Sequence, residues 1–378
     1  MDFELSEELK LFQNAIQDFA QKEIAPLVKE AEENEETPRE LFSKMGKLGY
    51  LCPDYPEEYG GGGMGKIAEC IMVEEVSKVC SGIASGFFSQ AGLATRIIAN
   101  HGSEEQKQEY LVPAIAGDKI ASFGLTESEA GSDAANLQTT AVKKGDNYII
   151  NGGKIYITNG QYCDYVVLAA VTDKSKGSRG ISIFVMDSDT KGFSRTKMQK
   201  LGNHASVTSQ LYFDDCPVPA KNLVGEEGRG WKYVLEALNS ARIAHSARSI
   251  GTAQAALEAC INYSKERVQF GQPIGKFQAI AFKISEMATQ IEAARALLYR
   301  VAWLFDEGND CRKEGPMTKL FSADVAIQAV QDAMRIHAGA GYVGDTDVER
   351  LYRDAILYHS TEGTGEIQKL IISRELSL

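Results

Sequence analysis

The hydrophobic period of this 378-residue chain changes twice, and those two changes constrain its fold more than any single motif. From Leu5 to about Tyr110, apolar residues recur at steps of three and four; Leu9, Phe12, Ile16 and Phe19 fall on one helical face. Around Ala121 the step shortens to two. Phe123, Leu125, Tyr148, Ile150, Ile155, Ile157, Tyr165, Val167, Ile181, Ile183, Val185, Leu211 and Phe213 lie in short alternating runs divided by Gly-Asp, Asn-Gly-Gly and Asn-Gly turns. From Gly230 the helical step returns. Ile284, Met287, Ile291, Ala294, Leu298 and Val301 form the seam of a long bundle helix. The expectation is an α+β protein with three units in order: helical over 1–118, β over 119–226 and a helical bundle over 227–378.

Local punctuation sharpens this plan. Thr37-Pro38-Arg39-Glu40 reads as a capping box with proline at the first helical position, and Ser103-Glu104-Glu105-Gln106 as another, opening a helix expected to end before Pro113. Gly60–Ile67 nearly matches a phosphate-binding loop. It ends in Ile67 where a hydroxyl is needed and follows Pro-Glu-Glu-Tyr instead of a strand, so a plain turn is the better reading. Gly339-Ala-Gly-Tyr-Val-Gly344 is a formal GxGxxG. It follows a helical stretch and no βαβ unit surrounds it, which argues against a dinucleotide fold.

Charge and cysteine content exclude other classes. The net charge of -12 disfavours nucleic acid as a partner, and an acidic protein takes an anionic ligand only through a local basic site. Seven cysteines, an odd number with no CxxC spacing, suit free thiols in a reducing compartment and point to no metal site. No run of 18 apolar residues suggests a membrane span. The acidic start MDFELSEELK has neither the charge nor the apolar stretch of a targeting segment, so a cytoplasmic location is expected.

Four stretches carry chemistry. Ser360-Thr361-Glu362-Gly363-Thr364 places a carboxylate between small residues just before an apolar helical pattern, and Gly363 lets the backbone approach a ligand. Alone, it reads equally as a solvated glutamate at a helix start. Phe123–Asp133 (FGLTESEAGSD) and Lys154–Gly160 (KIYITNG) supply hydroxyls, backbone amides and an aromatic. Arg267–Gln278 (RVQFGQPIGKFQ) sets a guanidinium beside phenylalanines.

Taken together, in this order and spacing, the four stretches resemble the acyl-CoA dehydrogenases along essentially the whole chain. The resemblance implies a helical domain, a β domain and a C-terminal four-helix bundle, FAD as cofactor, a homotetramer built as a dimer of dimers, and electron-transferring flavoprotein as acceptor. It makes Glu362 the base that takes the α-proton of an acyl-CoA while the β-hydrogen leaves as hydride to the flavin. Burial must then raise the pKa of Glu362, and hydrogen bonds to the thioester carbonyl must stabilise the developing enolate. It gives FAD contacts to Phe123, Leu125, Thr126, Ser132, Tyr156, Thr158, Arg335, Gly339, Thr364 and Glu366. Arg267, Phe270, Phe277 and Gln278 would reach the FAD of a neighbouring subunit. The substrate falls to Ser132, Gln90, Leu238, Asn239, Arg242, Thr361 and Gly363.

Three departures stand out. Tyr156 replaces the family's more usual tryptophan, Arg335 stands where glutamine is usual, and Thr361 replaces the tyrosine that normally precedes the base. Without that phenol ring, and with Gln90 expected on the opposite wall, the acyl cavity is expected to be short and wide. Butyryl-CoA and a cyclic thioester such as cyclohexanecarboxyl-CoA are the two forms of that expectation. An oxidase passing electrons to oxygen, or a silent CoA-thioester-binding homologue, are the alternatives. The short chain disfavours the long type of oxidase, and Glu362 with the flavin motifs disfavours the silent homologue.

Overall fold

The computed structural model describes residues 4–344 and 346–378; the first three residues of the acidic N-terminal run lie outside it. Helices α1 (Glu7–Phe19), α2 (Val28–Asn34), α3 (Arg39–Lys47), α4 (Gly65–Val79), α5 (Ser81–Phe88), α6 (Thr95–His101), α7 (Glu104–Gln106) and α8 (Val112–Ile115) come first. Phe12, Ile16 and Phe19 are the buried face of α1, as their spacing predicts, and Ser6 caps it by accepting from the Leu9 N–H.

Two local expectations fail for identifiable reasons. Thr37 does not cap α3, because its hydroxyl is spent on the Ala205 carbonyl at 2.6 Å and ties the helical unit to the β unit. Pro113 does not stop its helix. A wide turn over Lys107–Leu111 absorbs the misfit, and Pro113 sits in the first turn of α8, where a missing N–H costs nothing. The Ser103–Gln106 capping box forms as written. At Gly60–Ile67 the N-terminus of α4 is already filled. The Asp306 carboxylate accepts from the N–H groups of Lys66 at 2.6 Å and Ile67 at 3.3 Å, leaving no room there for a phosphate.

The middle unit is an eight-stranded sheet of β1 (Ala121–Gly124), β2 (Thr140–Lys144), β3 (Asn147–Thr158), β4 (Tyr165–Val171), β5 (Ile181–Asp187), β6 (Phe193–Lys197), β7 (Thr208–Pro219) and β8 (Leu223–Val224). Its order is β6-β7-β3-β2-β4-β5-β8, with β1 parallel to β4. Strand β4, sequence YVVLAAV, is buried on both faces, which is why it reads as a continuous apolar run. Val166, Leu168 and Ala170 pack into a core of the sheet's own. Tyr165, Val167, Ala169 and Val171 point the other way into the core shared with the helices.

The C-terminal unit contains α9 (Gly230–Glu266), α10 (Gln278–Asp306), α11 (Glu314–His337), α12 (Gly339–Tyr342), α13 (Val348–Ala355) and α14 (Gly365–Glu375). A short hairpin of β9 (Val268–Gln269) and β10 (Gln272–Pro273) joins α9 to α10. Helices α9, α10, α11 and α14 form the bundle, and α4 packs on α9. Helix α9 runs through the middle of the molecule. Its middle, Ser240–Ala253, is buried on all sides and packs closely through small residues: a side chain at Gly251 would collide with the Glu74 carbonyl. Its buried hydroxyls are satisfied within the helix, Ser246 donating to the Arg242 carbonyl and Thr252 to that of Arg248. The seven cysteines are free and buried. No described helix is long and apolar enough to cross a membrane.

Candidate active site

Glu362 occupies a left-handed backbone conformation, φ 55°, followed by Gly363 at φ 92°. A non-glycine residue there is strained and persists only where its surroundings hold it. Here three side chains do so. Gln368, fully buried in α14, donates to the carbonyls of both Glu362 and Gly363 at 2.9 Å. Lys319, fully buried in α11, donates to the Gly363 carbonyl at 2.9 Å, and Arg242 of α9 reaches the Glu362 carbonyl at 3.4 Å. Thr364 then caps α14 by accepting from the Ile367 N–H. The carboxylate is thereby aimed by backbone contacts, and among the described residues no group hydrogen-bonds its own oxygens.

Electrostatics around the turn follow from burial. Desolvation raises the pKa of Glu362, partly opposed by Arg242, Lys319 and Arg248. Desolvation also lowers that of Lys319 to about 8, against the pull of Glu362. His245, one turn beyond Arg242 on α9, is fully buried and pushed well below the ordinary histidine value by burial, then by Lys319 and Arg248; it is neutral. Its Nε2 pairs with the Thr361 hydroxyl at 2.7 Å, and its ring meets Phe88 and Tyr358 edge-on.

The structure brings Thr361, Glu362 and Gly363 together with Arg242 and Asn239, whose Oδ1 accepts from Arg242 Nη1 at 2.8 Å. Leu238 and Asn239 are half-buried beside them. A groove of about 540 Å³ opens next to Asn239, rimmed by Arg179, Arg229, Lys232 and Arg312, with Trp231 and Leu235 as its apolar wall. A larger cleft, about 740 Å³, runs between Gln21–Glu33 and α13. Its lining includes none of the residues of the turn, and its arginines are paired, Arg353 with Glu349 and Arg350 with Asp347.

Gln90, expected from the sequence on a wall of the acyl cavity, is engaged with backbone groups. Its side chain is fully buried, donates to the carbonyls of Ala114 and Lys119, and accepts from the Ala121 N–H. It pins the start of β1 to the helical unit, and its amide is not free to line an acyl cavity.

A second cluster forms on the sheet. Phe123 and Leu125 are buried, Thr126 accepts through its carbonyl from the Ile155 N–H at 2.9 Å, and Ser132 stands exposed on the following loop. That loop is fixed by a buried ion pair. Glu127 accepts from Lys154 at 2.7 Å and from the N–H groups of Gln138 and Thr139, while Lys154 also donates to the Leu125 carbonyl. A register shift between Lys154 and Ile157 on β3 turns Tyr156 outward in a left-handed conformation, φ 62°, with 64% of its surface exposed; Thr158 is half-buried two residues on.

The third cluster projects from the α9–α10 junction. Arg267 and Gln278 are exposed, Phe270 is 94% exposed at φ 52°, and Phe277 packs edge-on against it. Among the described residues no carboxylate pairs with Arg267, and no hydrogen bond joins this cluster to the sheet cluster of the same chain. Gly339 opens α12 on the exposed side. Arg335 is held by Asp332 at 3.3 Å, and Glu366 is exposed in the first turn of α14.

Lys319, His245 and Gln368 escape a reading based on motifs. Lys319 carries a signal nonetheless: it lies on the face formed by Pro316, Ala323, Ala326 and Val330, where a lysine needs a buried partner.

The donor set of the sheet and junction clusters fits a flavin nucleotide. An outward-held planar aromatic, hydroxyl and backbone donors on an immobilised loop, and a guanidinium lacking a carboxylate partner match a stacked ring and a pyrophosphate.

Three successive segments match the acyl-CoA dehydrogenase N-terminal domain over residues 6–118, the middle domain over 122–216 and the C-terminal domain over 228–377. The chain therefore belongs to the acyl-CoA dehydrogenase family, whose members are flavin-dependent oxidoreductases. Among its relatives, the short-chain-specific acyl-CoA dehydrogenase of Clostridium acetobutylicum is 42% identical, with 100% of both chains covered. The solved butyryl-CoA dehydrogenase of Megasphaera elsdenii superposes at TM-score 0.97, with 39% identity and 100% of both chains covered. A chain in a structure described as the electron transferring flavoprotein of Acidaminococcus fermentans superposes at TM-score 0.97, with 44% identity over 100% of this chain and 99% of that one.

Proposed function

We propose that the protein is an FAD-dependent dehydrogenase that introduces an α,β double bond into a short-chain or cyclic acyl-CoA, with Glu362 as the base. The observation that carries this reading is the strained turn at Glu362. Its backbone carbonyls are gripped by Gln368, Lys319 and Arg242, while its carboxyl has no hydrogen-bond partner among the described residues and is raised in pKa by burial. A carboxylate at its ordinary pKa of about 4.3 is a weak match for an α-proton, and raising the value narrows the gap.

The CoA moiety fits the groove beside Asn239. Arg179 on its rim suits a phosphate, while Arg312, Lys232 and Arg229 also pair with Asp310, Glu236 and Glu226, and Trp231 offers an apolar face. Asn239 and Arg242 stand between this groove and the base, where the pantetheine arm would pass. Tyr156, Thr158, Thr126 and Ser132 would hold the flavin ring and its chain, and Arg267 and Phe270 would act on the cofactor of a neighbouring subunit in a homotetramer. Bound there, FAD would accept the β-hydrogen as a hydride. The likeness to the Acidaminococcus chain supports electron-transferring flavoprotein as the partner that reoxidises the enzyme.

The short-chain and butyryl-CoA relatives support a small acyl group. Thr361 leaves room beside the base, although its pairing with His245 partly refills the space. Anaerobic addition of butyryl-CoA to the FAD-loaded protein should bleach the flavin absorbance, with cyclohexanecarboxyl-CoA as the comparison. Persistence of the oxidised spectrum with butyryl-, octanoyl-, isobutyryl- and cyclohexanecarboxyl-CoA would refute the assignment.

A further inference from the structure

The His245–Thr361 pair places an unexpectedly polar element beside the base. His245 is fully buried and uses only one ring nitrogen: Nε2 lies 2.7 Å from Thr361 Oγ1, while Nδ1 is sealed from solvent with no partner among the described residues. Two arrangements are possible. If Thr361 donates to Nε2, the proton of the neutral ring sits on Nδ1, and a buried N–H is left unmatched. If Nε2–H donates to Thr361, Nδ1 keeps only a lone pair, and an unmatched acceptor is the more tolerable orphan. The second arrangement is the better satisfied.

Its consequence lies at Thr361. With the oxygen lone pair already taken by His245, the hydroxyl proton must point elsewhere, and no described protein group accepts it. Thr361 is half-buried, adjoins Glu362, and stands where the acyl group must lie if Glu362 is to reach the α-carbon. Phe88 meets the His245 ring edge-on, and on the same helical face Ser85, one turn before Phe88, is almost fully buried.

We propose that Thr361, oriented by His245, donates a hydrogen bond to an oxygen carried by the acyl group, so that the site favours an acyl-CoA with an oxygen substituent close to the reacting carbons over a hydrocarbon chain of equal length. This rests on the reading of Glu362 as the base. It makes Thr361 a specificity-determining residue and His245 a positioning residue. A site built to hydrogen-bond a substrate hydroxyl discriminates strongly against the analogue lacking it, because its own polar group is then left unmatched.

The test compares 4-hydroxybutyryl-CoA with pentanoyl-CoA, which differ only by a terminal hydroxyl for a methyl, by kcat/KM and by equilibrium binding to the FAD-loaded enzyme. Thr361→Val, which is nearly isosteric, should lower the hydroxy-to-methyl ratio about tenfold or more, whereas Thr361→Ser should keep it. His245→Gln, whose amide can still donate to Thr361, should keep the ratio, and His245→Leu should lose it. A purely structural role for the pair would change stability and both substrates alike. An unchanged ratio in Thr361→Val would overturn the proposal; if that variant does not fold, Thr361→Ala reads the same ratio. Failure of every thioester to bleach the wild-type flavin would instead strike the desaturase reading, while the binding ratio would still report on Thr361.

Discussion

Lys319 Nζ donates to the backbone carbonyl of Gly363 at 2.9 Å, so a buried cation is attached to the peptide next to Glu362 and not to its carboxylate. The contact fixes the turn, and its charge lowers the pKa that burial raises. The effect of the charge is read from pH dependence. Lys319→Met removes a positive charge near Glu362, so the pKa of Glu362 should rise further above its already raised value. Less of the base is then ionised at a given pH, and the acidic limb of the flavin-reduction rate should move to higher pH. Stopped-flow reduction across pH checks this. A limb that stays in place would show that Lys319 does not influence the base.

Glu362→Gln retains the volume of the side chain and the backbone grip of Gln368, so fold and FAD content should be preserved. The amide cannot take a proton. Loss of a general base costs on the order of 10² to 10⁴ in rate, and single-turnover flavin reduction by butyryl-CoA should fall within that range. A variant that reduced its flavin at a near-native rate would place the base elsewhere.

Lys154 and Glu127 are both buried, and together they anchor the loop that carries Thr126 and Ser132. Breaking such a pair from one side typically costs about 3–5 kcal/mol, because the other charge is left buried and alone. Lys154→Met should therefore melt earlier than wild type and release FAD more readily. The pH dependence follows from the sign of the shift. Lys154 and the loop N–H groups hold Glu127 below the ordinary glutamate value despite its burial, so its contribution is present above that value and lost as pH falls through the lowered one. The difference in melting temperature between wild type and variant should shrink on acidification through that window. A constant difference would show that the pair adds nothing through its charge.

Much of this architecture was legible in the sequence because periodicity reports burial. The continuous apolar run of β4 and the stepped stripe of α10 are direct consequences of which faces are covered. Glu362 was legible through its motif alone; nothing local announces the left-handed turn that presents it. What sequence could not supply was tertiary partnership. Thr37 has the form of a cap but bonds across units to Ala205. Gln90 has the form of a pocket residue but satisfies backbone groups at the seam with β1. In each case a polar side chain was claimed by a backbone group distant in sequence. Lys319 and His245 are the same lesson reversed: ordinary residues within helices become part of the site because α9 and α11 pack beside the turn.

Arg267 and Phe270 support a final prediction about assembly. Their side chains project into solvent from one chain, Phe270 in a strained conformation and almost wholly exposed, while the groups expected to hold the flavin lie on the sheet. Exposing a phenylalanine costs about 1.5–3 kcal/mol relative to burying it, so a partner that covers it gains that contribution. If a neighbouring subunit brings its cofactor to this cluster, FAD retention and oligomer stability are linked. Arg267→Ala should loosen FAD by leaving pyrophosphate charge unmatched, and Phe270→Ala should weaken subunit association. Sedimentation velocity of wild type and both variants, with FAD content measured in each separated species, makes the comparison. A monomeric species that holds FAD as tightly as the assembled form would exclude a contribution from the neighbouring chain.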